Sequence, residues 1–246
     1  MIELRLKRDM KRKAAFFDID GTIFRSSLLI EVTEAMIQDG VFPTSLRDSY
    51  ARDYQKWLDR KGPYEEYIGA VIRAFEGNIT GVRGRDLMKV VEKVMQFHKS
   101  RVYRYTRDLV RQLKKKGYFM VAISNSPKEA LDPFCKKLGF NKVYGRIYEI
   151  DKKGLCTGKT LYLDLISDKA KILKRAVEHN DLTLRGSIGV GDTQSDIPFL
   201  KLVDQPICFN PNQELYKYAK RVGWTIVIER KDVIHRIEHR TSYSHR

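Results

Sequence analysis

The chain has 246 residues, 42% of them hydrophobic, which is enough to bury a sizeable core in one large domain or in a domain with an insertion. The cysteines are odd in number and widely separated, so neither a disulfide framework nor a structural zinc site is implied; they are Cys135, Cys156 and Cys208. No uncharged apolar stretch approaches the ~18 residues that a membrane span needs, and the apolar run at 14–17 is too short for a signal peptide. We therefore expect a soluble, cytoplasmic protein.

The formal net charge is +16, and lysine and arginine are spread along the whole sequence rather than gathered in one block. A charge of this sign attracts phosphates, nucleic acid or a membrane surface. The even spread favours a basic solvated surface over a dedicated anion-binding face.

The first predicted element is a short apolar strand at 14–17, which runs into Asp18-Ile19-Asp20-Gly21. At the carboxyl end of a strand, where the chain turns at a glycine, both acidic side chains can face the crevice in which open α/β sheets bind ligands. Two such carboxylates repel each other by a few kcal/mol at an effective dielectric of ~20, so we expect a divalent metal ion near them. Alone, the motif is typical of a solvated turn. An EF-hand is excluded, because Ile23 and Phe24 follow.

Residues 26–105 contain no convincing strand and show apolar residues at helical spacing, for example Val90, Val91 and Val94. We interpret this segment as an all-helical cap inserted after the first strand. The remaining residues, 1–25 and 106–246, are predicted to form the core domain.

After the insertion, apolar strand patterns alternate with helical ones, which favours a parallel α/β sheet. The predicted strands lie at 118–123, 187–190, 206–209 and 225–228, and a β-hairpin is predicted from 146–150 and 155–159. Ser126-Pro127-Lys128-Glu129 has the capping-box spacing with proline at the first helical position. This pattern predicts a helix that starts there and ends near Leu138, before Gly139.

Further polar residues stand at the ends of these elements. Ser124 and Asn125 follow a strand just before a predicted helix, where a hydroxyl and backbone N–H groups form an anion cradle. Lys169, near a helix start, adds a point charge suited to phosphate. Asp192 and Asp196 follow a glycine-rich strand end and offer the hard oxygen ligands that Mg²⁺ uses. Each signal is weak alone, but together and in this order they form a strong pattern.

This set of residues resembles the haloacid dehalogenase superfamily of phosphohydrolases, whose four motifs are Asp-x-Asp-x-Thr, a Ser or Thr after a strand, a Lys, and Gly-Asp-x-x-x-Asp. All four have counterparts between Asp18 and Asp196. Other segments resemble the phosphoserine-phosphatase-like branch; they are 123–127, 157–159 and 210–215 with 223–224. The resemblance covers most of residues 14–228 apart from the insertion. It implies a Rossmann-like parallel sheet core with a helical cap inserted after the first strand.

The resemblance also implies the role of each site residue in a Mg²⁺-dependent phosphatase. Asp18 would attack phosphorus and form an aspartyl-phosphate, while Asp20 would protonate the leaving oxygen and later activate water. The implied metal ligands are Asp18, the Asp20 backbone carbonyl and Asp192, with Asp196 orienting the metal shell. The implied phosphate-binding groups are Ser124, the Asn125 amide and Lys169.

The cap departs from phosphoserine phosphatases where specificity is set. By the resemblance, a glutamate should follow the first motif and read the substrate ammonium, but Ser27 occupies that place and Glu31 lies one helical turn later. The arginine that would grip the substrate carboxylate falls near Val71 or Arg73. Phosphoserine is therefore not expected to be the preferred substrate.

A second candidate metal site is His235-x-x-x-His239, because this spacing places both rings on one face of a helix. No third ligand is evident in the sequence, and Arg236 and Arg240 surround the pair. A solvated basic tail is the favoured interpretation.

The sequence thus predicts a cytoplasmic, Mg²⁺-dependent phosphomonoester hydrolase that acts on a small phosphorylated metabolite. The same motifs also support phosphoryl transfer to a second substrate instead of water. A protein of another class, which binds nucleic acid through its basic surface or removes terminal phosphates from it, is disfavoured because the catalytic positions are intact.

Overall fold

Eight strands form one sheet in the computed structural model, which describes residues 11–238. They are β1 (Arg12–Asp18), β2 (Phe119–Pro127), β3 (Lys142–Ile150), β4 (Cys156–Leu161), β5 (Leu182–Gly191), β6 (Gln205–Phe209), β7 (Thr225–Arg230) and β8 (Val233–Ile237). Their order across the sheet is β4-β3-β2-β1-β5-β6-β7-β8. The six inner strands run parallel, and β4 and β8 are antiparallel edge strands.

Ten α-helices connect the strands within the described residues. They are α1 (Leu28–Gln38), α2 (Asp48–Leu58), α3 (Tyr64–Asn78), α4 (Gly84–His98), α5 (Arg104–Lys115), α6 (Lys128–Leu138), α7 (Leu163–Ile166), α8 (Lys169–His179), α9 (Ile197–Leu200) and α10 (Gln213–Val222). The first four, here called the inserted helices, follow one another with no strand between them. Helical structure is therefore confirmed for most of 26–105, whereas the division into a cap and a core at 25/26 and 105/106 stays a prediction.

Apolar side chains of β1 are buried on both faces of the sheet. Phe17 lies in one hydrophobic cluster with Val110 and Leu113 of α5, and Phe16 lies in a second cluster with Ile172 and Leu173 of α8. Because both faces are covered, the strand is a continuous apolar run rather than an alternating one. The polar residues that follow β1 are left at the carboxyl edge of the sheet, beside the inserted helices.

The predicted α/β fold is confirmed. Each of the five predicted strands is present in the parallel part of the sheet, and β3 and β4 form the predicted hairpin. Strand β3 is longer than predicted. It begins at Lys142 and pairs in parallel with β2 before it forms the hairpin with β4.

Two local predictions are wrong. Helix α6 begins at Lys128 rather than at Pro127, and no side chain caps it; the Ser126 hydroxyl instead bonds Asp20, which lies 106 residues away in the sequence. His235 lies in strand β8 and is exposed, so it is not on a helix. Its predicted partner His239 lies outside the described residues.

Within residues 11–238, no helix is long and apolar enough to cross a bilayer.

Candidate active site

The carboxyl ends of three neighbouring strands meet at one point of the sheet edge. Asp18 ends β1, Ser124 and Asn125 lie near the end of β2, and Asp192 directly follows β5. Because β1 lies between β2 and β5 and all three run parallel, these residues converge. Lys169 joins them from the first turn of α8. The positions that the sequence singled out therefore come together, although the role of each remains a prediction.

Lys169 forms two buried ion pairs. Its Nζ lies 2.6 Å from Oδ1 of Asp18 and 2.5 Å from Oδ1 of Asp196, and its side chain is 8% exposed. Asp168 caps α8 by accepting hydrogen bonds from two backbone N–H groups, which fixes where the helix and its first lysine begin. Burial alone would lower the pKa of Lys169, but the two carboxylates outweigh it and raise the pKa, so the lysine stays a cation.

Asp196 positions its neighbours through hydrogen bonds and leaves neither of its carboxylate oxygens free to bind a metal ion. Its Oδ1 pairs with Lys169, and its Oδ2 accepts hydrogen bonds from the backbone N–H groups of Asp192 and Thr193 at 2.9 and 3.0 Å. The residue is completely buried in a short 3₁₀ turn that follows β5. Both oxygens of Asp196 are thus occupied, and through these hydrogen bonds Asp196 fixes the positions of Lys169 and Asp192.

Asp192 lies against the turn that follows β1. Thr22 donates its hydroxyl proton to Oδ1 of Asp192 at 3.2 Å. Gly21 has a φ of +78°, and a Cβ atom there would lie 2.1 Å from Oδ2 of Asp192. A glycine is required at this position both for the left-handed backbone and for the close approach of the carboxylate.

Among the described residues of the site, one fully buried carboxylate oxygen has no hydrogen-bond partner. Oδ1 of Asp18 is held by Lys169, but Oδ2 is buried without a hydrogen bond to any described residue. One oxygen each from Asp18, Asp192 and Asp196 lie within 4.8 Å of one another. A buried, unpaired carboxylate oxygen next to a second carboxylate is costly, and a divalent cation is the group that relieves this cost.

The balance of charges in the site also favours a bound cation. Burial raises the pKa of Asp18 to about 7, and Asp196 and Asp20 add to this rise while Lys169 opposes it. Burial, followed by the charges of Asp18 and Asp196, also raises the pKa of Asp192 well above its usual value. One lysine does not balance these carboxylates, so the donor set fits a hard divalent metal ion.

The carboxylate of Asp20 contacts the start of α1 and the end of β2. Its Oδ1 accepts a hydrogen bond from the backbone N–H of Leu28 at 2.6 Å, where the helix N-terminus favours negative charge. Its Oδ2 accepts hydrogen bonds from the hydroxyls of Ser124 and Ser126. Burial raises the pKa of Asp20, and these hydrogen bonds oppose the rise. The side chain is thus held in place with a carboxyl group that takes up a proton more readily than an exposed one.

A cavity of about 240 Å³ opens above these residues. It is smaller than the roughly 300–1,000 Å³ of typical small-molecule sites, so it suits a small ligand. The core side of its lining is Asp18, Asp20, Asn125, Ser126, Lys169, Asp192, Thr193, Gln194 and Ser195, and the inserted helices and the residues before them contribute Ser27, Leu29, Tyr64, Glu65, Ile68 and Ile72.

The residues that the resemblance suggested for substrate recognition fall in different places. Ser27 is buried and lines the cavity. Glu31 does not line it, because its carboxylate pairs with Arg101 at 2.8 Å. Val71 is buried in the core, and neither Val71 nor Arg73 lines the cavity.

Sequence reasoning missed several residues that contact or line the site. Thr22 and Ser126 stand inside motifs that had been recognised, so their hydroxyls were detectable signals. Tyr64 and Glu65 gave no signal, because their place in the lining depends on how α3 packs over the sheet edge.

A model of the haloacid dehalogenase-like hydrolase family matches residues 15–201. The chain therefore belongs to this family, as the resemblance predicted. The match begins in β1 and ends just after α9, so it contains every residue proposed for the site.

Relatives and solved structures agree with this assignment. The "inhibition of morphological differentiation protein" of Streptomyces azureus is 24% identical over 229 residues, which cover 89% of this chain and 79% of that protein. The histidinol-phosphatase of Neisseria meningitidis is 22% identical over 233 residues, which cover 88% of this chain and 98% of that protein. The phosphatase class predicted from the sequence is confirmed by the family and by such relatives.

Solved structures of other proteins share the fold. A Bordetella pertussis protein of unknown function superimposes with a TM-score of 0.70 at 19% identity, covering 89% of this chain and 99% of that one. A phosphoserine phosphatase, captured as an analogue of its phospho-aspartyl intermediate, has a TM-score of 0.62 at 19% identity and covers 91% and 96%.

Proposed function

We propose that the protein is a Mg²⁺-dependent phosphomonoester hydrolase that acts on a small phosphorylated metabolite through an aspartyl-phosphate on Asp18. One observation carries the proposal: Oδ1 of Asp18 is fixed by Lys169 while Oδ2, which has no partner among the described residues, is available to react or to bind metal. The proposed cap is 26–105, and the proposed catalytic core is the remainder of the chain.

The proposed reaction has two steps, and Asp20 moves a proton in each. In the first, an oxygen of Asp18 attacks phosphorus, the bond to the leaving oxygen breaks, and Asp20 gives that oxygen a proton. In the second, Asp20 takes a proton from water as the water oxygen attacks phosphorus, and the bond between phosphorus and Asp18 breaks. The raised pKa of Asp20 supports the first proton transfer, because the carboxyl group has to arrive protonated.

The phosphoryl oxygens would be held by Lys169, the Asn125 amide and the Ser124 hydroxyl, whose proton would have to turn from Asp20, its acceptor in this structure, to the phosphate. Lys169 is the single cation in the described lining of the cavity. The metal would be held by Asp18, Asp192 and the backbone carbonyl of Asp20, and when bound it would offset the phosphate charge and orient the attack. Asp196 would keep Lys169 and Asp192 in position through the hydrogen bonds described above.

Phosphate release in the presence of Mg²⁺ tests this proposal. The panel should contain sugar phosphates, nucleotides, lysophospholipids, phosphoserine, histidinol phosphate and an ester with a good leaving group. We expect phosphate release from at least one natural ester and from the activated ester. Release from none of them by the folded protein would contradict the proposal, and transfer to an added alcohol in place of water would reassign the enzyme as a phosphotransferase.

Replacing Asp20 by asparagine is expected to lower turnover by about 10²–10⁴-fold, the usual contribution of a positioned proton donor. The loss in kcat/KM, which reports only the steps up to phosphorylation of Asp18, should be smaller for an ester of p-nitrophenol than for an alkyl ester, because a good leaving group needs no proton to depart. Initial rates on the two esters at low substrate concentration, measured side by side, check this. An equal loss of kcat/KM on both esters would argue against Asp20 as the acid.

Mg²⁺ is expected to raise the melting temperature more at pH 8 than at pH 5, with the rise centred near the pKa of Asp18, about 7. The pKa values of Asp18 and Asp192 are raised on folding, so between pH ~4 and ~7 the metal-free folded protein binds more protons than the unfolded chain. Its free energy of unfolding therefore falls as the pH rises through this window. Mg²⁺ replaces those protons, and each kcal/mol gained should shift the melting temperature by about 2–4 °C.

The control for this measurement is Asp192→Asn, which should lose most of the Mg²⁺-dependent shift at pH 8. Turnover should also cease in excess chelator and return when Mg²⁺ is added. A shift of the same size at both pH values, or full turnover in the chelator, would show that these carboxylates do not bind the metal.

A further inference from the structure

Helix α3 places a further carboxylate, that of Glu65, in the lining of the cavity. Glu65 is the one charged residue that the inserted helices place in the described lining, and it is half-buried. Around it the lining is apolar or neutral: Leu29, Ile68 and Ile72 contribute aliphatic side chains. The reacting groups lie on the opposite, core side, so a bound phosphate ester would direct its leaving group toward Glu65 and these aliphatic side chains.

The described lining of the cavity offers no free positive charge to balance Glu65. Lys169 is the sole cation in the described lining, and it already pairs with Asp18 and Asp196 on the core side. Tyr64 stays neutral, because burial together with the carboxylates of Asp20 and Asp192 raises the pKa of its phenol. The leaving-group side of the cavity therefore carries one net negative charge.

Glu65 is held in a fixed orientation by the core. Asn212 donates its side-chain N–H to Oε1 of Glu65 and also contacts Oε1 of Gln194. Asn212 is itself anchored, because its side-chain oxygen caps α10 by accepting a hydrogen bond from the N–H of Leu215 at 3.0 Å. Among the described residues no ion pair engages the carboxylate of Glu65, so its charge remains to be matched by a ligand.

We propose that Glu65 selects the leaving group, and that the substrate class is the phosphate monoester of a small amino alcohol without a carboxylate. This inference rests on the proposed hydrolase function. The ammonium group would bind Glu65, and the carbon chain would lie along Ile68 and Ile72. An anionic leaving group would face Glu65 with no cation to pair with, which is unfavourable in a partly buried site.

Three esters that share a two-carbon chain test this selection: phosphoethanolamine, ethylene glycol monophosphate and phosphoglycolate. They end in an ammonium, a hydroxyl and a carboxylate, so the terminal charge is the main variable. We expect kcat/KM to fall in that order for the unaltered enzyme. The ammonium ester should exceed the hydroxyl ester by about 10–100-fold, the range expected for a hydrogen bond between charged groups.

The variant Glu65→Gln removes the charge and keeps an oxygen that Asn212 can bind. It should reduce the ratio of kcat/KM for the ammonium ester to that for the hydroxyl ester by about tenfold or more, and should raise the relative rate on phosphoglycolate. Glu66→Gln is the matched control. Glu66 is next to Glu65 on the same helix but is half exposed, pairs with Lys56 at 3.6 Å and does not line the cavity, so the ratio should not change.

The outcomes separate the inference from the function on which it rests. Equal kcat/KM values for the three esters, a preference for phosphoglycolate, or an unchanged ratio in folded Glu65→Gln would overturn the role of Glu65 while leaving the hydrolase intact. The ranking by the unaltered enzyme decides the matter even if the variant does not fold. Absence of phosphate release from all three and from p-nitrophenyl phosphate would instead refute the hydrolase proposal.

Discussion

Replacing Asp18 by asparagine is expected to abolish phosphate release, with a loss of at least about 10⁴-fold, as for the removal of other covalent nucleophiles. The amide is nearly isosteric with the carboxylate, so the fold should persist. It has no anionic oxygen with which to attack phosphorus or to bind a metal ion, and with its amide oxygen accepting from the ammonium of Lys169 it places an NH2 group where the unpaired Oδ2 of Asp18 lies. Initial rates over a range of Mg²⁺ concentrations measure the loss.

The control for Asp18→Asn is the melting temperature in chelator, where no metal contributes. Burial raises the pKa of Asp18, which means that its negative charge is disfavoured in the metal-free folded protein. Removal of this charge should therefore lower the melting temperature in chelator far less than it lowers activity. Near-normal turnover by a folded Asp18→Asn protein would rule out the mechanism.

The second large effect is expected at Lys169, with Lys171 as its matched control. Two residues apart on a helix differ by about 200° around the axis, so the two lysines face opposite ways. Lys169 is buried between Asp18 and Asp196, whereas Lys171 is exposed. Lys169→Ala should lower kcat/KM by orders of magnitude, and Lys171→Ala should change it by less than about twofold, as for an exposed residue away from the site.

Lys169→Ala also leaves two buried carboxylates without their cation, and breaking such a pair costs about 3–5 kcal/mol. Rates should therefore be measured well below the melting temperature of the variant, and its circular dichroism compared with that of the unaltered protein. If folded Lys169→Ala keeps most of its activity while Lys171→Ala loses it, the lysine has been assigned to the wrong position.

The sheet and the site positions could be predicted because both depend on short-range patterns. Apolar runs such as 14–17 and 187–190 are buried on both faces in β1 and β5, and their polar successors have to lie at the carboxyl edge. Asp18 and Asp192 follow such runs. Lys169 was distinguishable from Lys171 because helical periodicity places it on the side of Ile172 and Leu173, which are buried.

What could not be predicted depends on partners distant in the sequence. Ser126 has the spacing of a helix cap, but its hydroxyl bonds Asp20, which a local rule does not take into account. His235 extends the edge of the sheet in β8, where pairing with β7 overrides the helical spacing of two histidines. Glu65 reaches the cavity only because α3 packs over the sheet edge and Asn212 holds its carboxylate.

The central claim is the phosphoryl group on Asp18, and direct detection of it tests the account most directly. In Asp20→Asn, an ester with a good leaving group should still phosphorylate Asp18, whereas hydrolysis of the aspartyl-phosphate should be slow because no base activates water. Acid-quenched Asp20→Asn protein should therefore carry one added phosphoryl group on the peptide that contains Asp18. The same experiment with Asp18→Asn should give none. A phosphoryl group on another residue, or steady turnover by Asp20→Asn without any phosphorylated protein, would contradict the account.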